Sequence, residues 1–339
     1  MEKCLITKLN GTINNDSILK LGELRLSFTS TGSSKELSIG LKESQKLSII
    51  GNGYFTDASG LNLGKTIDTS VGGTTTTFHV SDGEFELSIP NKYKLSGLKV
   101  KNCSISDLAE LKYSPLFEYF ETTNFKISGD IANLSELKNL TNLGLSSTQV
   151  RGDIANLKNL TALNILGLSN TQVSGDIANL SELKNLTNLG LSSTQVRGDI
   201  ASLAGMTGLN YVSLANTQVS GDIASLSELK NLTILFAGKN NHGDVAVLSP
   251  KLQFINMNKK SATWSTRPSS STIIAMEDVD FGNNVDKMLQ NQAQCVKPEI
   301  QDEQAWKRTI KVIGTRTSVS DSAVAVLQGK GYTIIVNPA

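Results

Sequence analysis

A column of aspartates runs through this sequence at near-constant spacing: Asp107, Asp130, Asp153, Asp176, Asp199, Asp222 and Asp244. Carboxylates stacked one repeat apart have the chemistry to hold calcium. Each of these, however, also precedes a turn whose free backbone N–H groups an aspartate caps, and from Asp130 on the residue before it is a glycine, which supplies an unusual backbone angle. The multi-aspartate loop usual for calcium does not occur, so capping is the expected role. Other reactive groups are sparse. His79 and His242 lie in different segments with no cysteine or carboxylate at metal-ligand spacing, and Cys4, Cys103 and Cys295 form no disulfide framework. Nucleophile elbow, phosphate loop, dinucleotide fingerprint and zinc-protease motif are all missing from the sequence. The expectation is therefore no metal, no cofactor and no catalytic residue; an activity would have to reside in the terminal segments.

The aspartates are positioned by a repeat. The 23 residues Gly129 to Arg151 recur letter for letter at Gly175 to Arg197, and Gly-Asp pairs begin at 129, 152, 175, 198, 221 and 243. Identical copies cannot each carry a unique catalytic residue, so such an array acts through the surface it builds by stacking, or through its length. Leu143 and Leu145 have the period of two of a strand with one buried face, while Leu137 and Leu140 are spaced by three, as a helical or 3₁₀ turn requires. The second unit repeats the pattern with Leu160, Leu163, Leu166, Leu168 and Val173. One unit cannot bury this apolar set; stacked units do, with strands about 4.8 Å apart in a parallel sheet.

The pattern LxxLxxLxLxxTxVxGDIxxL resembles the leucine-rich repeat, and the likeness covers residues 98 to 258. It implies an α/β leucine-rich-repeat solenoid of 23-residue repeats with a parallel sheet. Where that family places an Asn or Cys after the strand, forming a buried ladder, this sequence has Thr148, Thr171, Thr194 and Thr217, with Asn240 in the fifth unit. A hydroxyl both donates and accepts, so a threonine ladder is chemically sound. Cys103 falls at the ladder position of an earlier unit containing Leu98 and Val100; Phe117, Phe120 and Ile127 form the next rung, and Leu252, Ile255 and Met257 a late one. The chain as a whole resembles leucine-rich-repeat proteins of gut anaerobic bacteria and similar proteins of their phages. That resemblance implies protein or glycan binding, often at a cell surface.

Three segments follow: residues 1–94, a β-rich, sandwich-like attachment domain; 95–260, the repeat array; and 261–339, a mixed α/β C-terminal cap. In the first, alternating runs at Cys4–Leu9, Glu23–Phe28, Leu37–Gly40, Lys46–Ile50, Thr76–Val80 and Glu84–Ile89 are separated by Gly, Asn, Asp and Ser clusters. In the last, Ser271–Met276, Thr309–Ile313 and Thr333–Val336 read as strands and Val285–Gln294 and Ser320–Leu327 as helices, with Ser320 as N-cap and Gly329 as stop. Strand, helix, strand implies right-handed parallel crossovers that continue the repeat sheet.

Net charge is +1, and Lys138 and Lys184 alternate with Glu136 and Glu182, so neither nucleic acid nor an anionic membrane is an expected partner. The first residues, MEKCLITKLNGT, contain no signal-peptide run, and no stretch of 18 apolar residues occurs. The expectation is cytoplasmic synthesis, without membrane insertion, and a virion or cell-surface location reached by assembly. Arg151-Gly152-Asp153 and Arg197-Gly198-Asp199 resemble an integrin-binding tripeptide, and Asn139, Asn159, Asn185 and Asn231 begin glycosylation sequons; both follow from the repeat register. The binding candidate is the outward column of the strands. It is small and neutral at Asn142, Gly144, Ser146, Gly167, Ser169, Asn188, Gly190 and Ser192, and apolar at Ile165, Tyr211, Ile234 and Phe254, with Phe236 beside them and Tyr119 at the other end. Either a protein or glycan ligand occupies this column or the cap folds over it. The functional expectation is a non-catalytic recognition or adhesion protein, including a phage head or tail decoration or fibre protein that assembles, as a homo-oligomer or into a virion, through residues 1–94. The alternative is a spacer or scaffold whose end domains make the contacts.

Overall fold

The computed structural model describes residues 24–30, 36–41, 46–51, 55–56, 62–64, 66–68, 75–80, 83–89, 95–101, 103–105, 108, 111, 114, 116–123, 127–268, 271, 274–295 and 308–338. The chain divides into two compact units, residues 1–139 and 140–339.

Every described secondary-structure element between Leu24 and Ile105 is a strand. The runs expected from alternation form Leu24–Ser30, Glu36–Leu41, Lys46–Gly51, Thr75–Val80 and Gly83–Ile89. The expected strand Cys4–Leu9 and Asp107 lie outside the described residues. Leu24–Ser30 pairs antiparallel with Gly83–Ile89 on one side and with Cys103–Ile105 on the other. In a second sheet, Glu36–Leu41 lies antiparallel between Thr75–Val80 and Leu95–Lys101. Leu95–Lys101 then pairs parallel with Tyr119–Thr123, setting Phe120 beside Leu98. The switch from antiparallel to parallel pairing thus falls on one strand. Cys103 departs from its expected place: it opens a strand and pairs with Ser30, whereas the ladder threonines sit in turns. Phe117, Phe120 and Ile127 are fully buried, and the two phenylalanine rings tilt against each other at 5.9 Å.

In the second unit each rung has three sides. The strands Asn142–Gly144, Ile165–Gly167, Asn188–Gly190, Tyr211–Ser213 and Ile234–Phe236 pair parallel, and their leucines are fully buried at Leu143, Leu166, Leu189 and Leu235 with Val212. The backbone then turns, with Ser147, Asn170, Ser193 and Asn216 at φ of 56° to 60°, and enters a second parallel sheet built from Gln149–Asp153, Gln172–Asp176, Gln195–Asp199 and Gln218–Asp222. Short 3₁₀ helices such as Ile154–Leu157 close the rung. The spacing of three carries on past that helix: Leu160 N–H donates to Leu157 O at 2.9 Å and Leu163 N–H to Leu160 O at 3.0 Å. Ile154, Leu157, Leu160, Leu163, Leu166, Leu168 and Val173 all reach zero exposure, so one rung's apolar set is completed only by its neighbours.

The parallel sheet continues beyond the repeats. Phe254–Thr263, Ala275–Gly282, Thr309–Gly314 and Thr333–Asn337 pair in that order, joined through helices α1 (Val285–Gln294) and α2 (Asp321–Gly329). Val285, Met288 and Leu289 of α1 and Ala323 and Leu327 of α2 are buried. The strand expected at Ser271–Met276 begins later, at Ala275. Ser320 makes no side-chain cap to α2; its hydroxyl instead donates to Asp286 Oδ1 at 2.6 Å, and the chain leaves the helix at Gly331, φ +85°.

Candidate functional site

The aspartate column is a capping system. Asp153, Asp176, Asp199 and Asp222 each accept the N–H of the residue two positions on at 2.8 to 2.9 Å, opening the 3₁₀ turns, and Asp130 does the same in the first unit. The glycine of the following rung presses on that carboxylate. A Cβ at Gly175 would lie 2.1 Å from Asp153 Oδ1, and Gly175 has φ +112°. Gly-Asp is therefore a two-rung device: the glycine leaves room for the aspartate above it. Asp244 ends the series by also accepting the N–H of Ser265 at 3.0 Å. In the Arg-Gly-Asp tripeptides the arginines and aspartates are exposed, with one oxygen of each aspartate engaged by the turn.

The four threonines Thr148, Thr171, Thr194 and Thr217 are 4 to 8% exposed, and each hydroxyl donates to a leucine carbonyl three residues earlier at 2.6 to 2.7 Å. Each thus closes its own turn, with no hydroxyl-to-hydroxyl chain between rungs. In the fifth unit it is Asn241, 1% exposed, that turns inward, donating to Val219 O at 3.3 Å and to Ala237 O; Asn240 is exposed. Gly221 pairs with Asn241 as Gly198 pairs with Val219, so the 22-residue step puts the buried asparagine at the place of the strand valine, while Asn240 donates to Thr217 O at 3.4 Å.

The outward column of the first sheet is in register across six strands: Asn142, Ile165, Asn188, Tyr211, Ile234 and Phe254. Its first half is small and polar apart from Ile165, which is 37% exposed. Its second half is an aromatic patch. The rings of Tyr211 and Phe236 lie 6.2 Å apart, tilted 55°, and those of Phe236 and Phe254 5.1 Å apart, tilted 49°. Tyr211, Ile234 and Phe236 are half-buried, whereas Phe254 is 3% exposed and forms the floor of the patch, not its surface. The next strand sets Ala275 beside Phe254 and Glu277 beside Asn256, so the cap extends the sheet laterally and leaves Tyr211, Ile234 and Phe236 partly open. Tyr119, half-buried, stands in the first unit, paired with Gly97. Lys311 Nζ lies 4.0 Å from Asp278 on the neighbouring strands.

Two polar arrays escape the sequence reading. On the second sheet Gln149, Gln172, Gln195 and Gln218 are exposed, with Arg151 and Arg197 two residues after the first and third. Beside the first sheet, Thr187 Oγ1 donates to Asn164 Oδ1 at 2.5 Å and Thr233 Oγ1 to Asn210 Oδ1 at 2.6 Å. The signal for the latter was in the sequence, where Thr141, Asn164, Thr187, Asn210 and Thr233 alternate with the two-unit period that also alternates Arg and Ser.

A buried polar cluster anchors the cap. Arg267, 2% exposed, donates to Ser249 O at 2.9 Å and Leu248 O at 3.4 Å, and its backbone N–H to Asn291 Oδ1 at 2.9 Å. Burial lowers its pKa to about 10, against a raising influence from Cys295. Burial pushes the Cys295 thiol up, opposed by Arg267 and Lys330, so this cysteine is a poor nucleophile. Among the described residues no cluster of His, Cys, Asp and Glu is arranged to hold a metal ion, and no helix is long and apolar enough to cross a membrane.

No family model matches the chain, and no curated protein does. Solved structures do. The plant peptide hormone receptor RGFR1, in complex with RGF2, aligns with a TM-score of 0.51 at 19% identity over 69% of this chain and 42% of the receptor. The leucine-rich-repeat ectodomain of the receptor kinase GASSHO1/SCHENGEN3 from Arabidopsis thaliana aligns at 0.46 and 16% over 72% of this chain and 35% of its own. An internalin C2 from Listeria monocytogenes aligns at 0.42 and 25% over 56% and 80% respectively. The chain thus matches less than half the length of either plant receptor. Parallel strands at a 23-residue step, closed by 3₁₀ turns, define a solenoid. This chain has the fold of a leucine-rich-repeat solenoid, with an N-terminal segment that is all-β in its described elements and a mixed α/β C-terminal cap.

Proposed function

We propose that this protein is a non-catalytic recognition protein that binds a protein ligand on the outward face of its repeat sheet, at the patch formed by Tyr211, Ile234 and Phe236 over Phe254. The observation that carries this reading is the contrast within one column: Asn142 and Asn188 give way to a contiguous apolar patch that the cap leaves half open. Aromatic side chains with apolar neighbours and a rim of amide and hydroxyl groups have the composition of a protein-binding hot spot. That RGFR1 was solved in complex with RGF2 is in keeping with this use of the fold. Residues 1–94 would then be the attachment module, in a virion or at a cell surface, as the resemblance to phage and gut-bacterial proteins implies.

The spacer reading has one observation of its own, the two identical units with small outward residues at Gly144 and Gly190, and Gly167 between them. One experiment separates the two. A displayed library of random peptides is selected on the full chain and on Tyr211→Ser with Phe236→Ser, whose folding is checked by thermal melting. Recognition predicts peptides enriched in apolar and aromatic residues whose affinity falls at least about tenfold on the double variant. Peptides that bind both proteins equally, or no enrichment at all, overturn it.

A further inference from the structure

We propose that the ligand segment recognised at the Tyr211, Ile234 and Phe236 patch is basic: it carries a Lys or Arg about three residues from its apolar anchor, and that cation sits over Glu277 of the cap. The inference rests on the recognition reading above and adds to it the charge and the orientation of the ligand. Strand pairing fixes the line along which the segment lies. Phe236 stands beside Asn256, Asn256 beside Glu277 and Glu277 beside Lys311, so one outward column runs from the aromatic rings into the cap. Met276, Ile310 and Val312, the sequence neighbours of these two charged residues, are fully buried, which leaves Glu277 and Lys311 half-buried on the opposite, outward face.

The two ends of the patch differ in charge. On the repeat side the outward positions are uncharged, at Asn142 and Gly144, Ile165 and Gly167, and Asn188 and Gly190. On the cap side stand Glu277 and Asp278, both half-buried. Lys311 Nζ lies 4.0 Å from Asp278, and Lys311 is also in register with Glu277, so one lysine serves two carboxylates and the cap end keeps an excess of negative charge. Lys239 and Lys260 lie outside this column, each following the outward positions of its rung where the chain turns toward the second sheet. A carboxylate partly withdrawn from water attracts a cation more strongly than one in bulk solvent, and a ligand end of like charge is repelled. Asn256, between Phe236 and Glu277, uses its Oδ1 on the Asn258 N–H at 2.8 Å and contributes no charge. Strands about 4.8 Å apart put Glu277 about 10 Å from Phe236, the span of about three residues of an extended peptide.

The test takes the peptides selected from the random library on the full chain and titrates the most enriched one. Enriched sequences are expected to carry Lys or Arg about two to four residues from the aromatic or aliphatic anchor, and to exclude Asp and Glu there. Glu277→Lys weakens binding of that peptide at least about tenfold and Glu277→Gln by less, while the same peptide with its basic residue changed to Glu binds Glu277→Lys better than it binds the wild type. The exchange guards against misfolding, since a damaged protein would not gain affinity for the altered peptide. Peptides that lose affinity on Tyr211→Ser with Phe236→Ser but show no basic preference, or that are indifferent to Glu277→Lys, overturn this inference and leave the recognition reading standing. Peptides indifferent to the patch substitutions, or no enrichment at all, overturn both.

Discussion

Replacing Gly175 by alanine tests the two-rung account of the Gly-Asp pair. The substitution has two consequences: a Cβ residue is forced to φ +112°, and that Cβ falls 2.1 Å from Asp153 Oδ1, which must leave its hydrogen bond to Ala155 N–H. Backbone strain of this kind costs about 1–3 kcal/mol. Loss of an N-terminal cap adds about 1 kcal/mol. The sum, about 3 kcal/mol, lowers the melting temperature of a unit of 200 residues (140 to 339) by roughly 6–12 °C. Asp153→Ala alone costs about 1 kcal/mol. In the double variant the obstructing carboxylate is gone, so the cap is lost once and not twice, and the pair costs about 3 kcal/mol where simple addition gives about 4. Denaturant titrations of the four proteins measure this coupling. A Gly175→Ala cost below about 0.5 kcal/mol, or strict additivity, would refute the claim that the glycine serves the preceding aspartate.

Two further predictions rest on single hydrogen-bonded groups. Thr171→Val keeps the shape of a buried side chain but removes its donation to Leu168 O, and is expected to cost about 1–2 kcal/mol in urea unfolding, with Thr171→Ser costing less. For Asp286, desolvation opposes the charge, yet hydrogen bonds from the Ser320 and Thr317 side chains and the Thr317 backbone, with the Arg316 charge, hold its carboxyl below the ordinary carboxylate value. A depressed folded-state pKa means stability that is present above the unfolded value, near 3.9, and is lost as pH falls through the folded one. Protection of the Thr317 and Val319 amides relative to their intrinsic exchange rates should therefore fall on acidification below about pH 4 in the wild type, and be already lowered and independent of pH in Asp286→Asn.

The parts of the fold legible in the sequence were those fixed by short-range pattern. The repeat announced itself by identity, the N-terminal strands by alternation between turn residues, and α1 by its periodicity, which gave the bounds Val285–Gln294 that the structure has. Parts set by contacts distant in sequence were not legible. The second sheet rests on Gln149–Asp153 and its equivalents, too short a run beside a Gly-Asp turn to declare a strand, although Val150 inward with Gln149 and Arg151 outward has the right period. The inward asparagine of the fifth unit could be Asn240 or Asn241 until packing chose between them. Ser320 reads locally as an N-cap, but its hydroxyl is taken by Asp286, 34 residues away. Phe254 has the sequence position of a surface residue; the Phe236 ring and the neighbouring strand bury it.

The most direct test of the central claim is a hydrogen-exchange footprint of a peptide selected on this protein, read at saturating peptide. The account predicts protection confined to the strands Tyr211–Ser213 and Ile234–Phe236 and the residues beside them. Protection that falls instead on the opposite sheet, along Gln149–Asp153, Gln172–Asp176 and Gln195–Asp199, would contradict it.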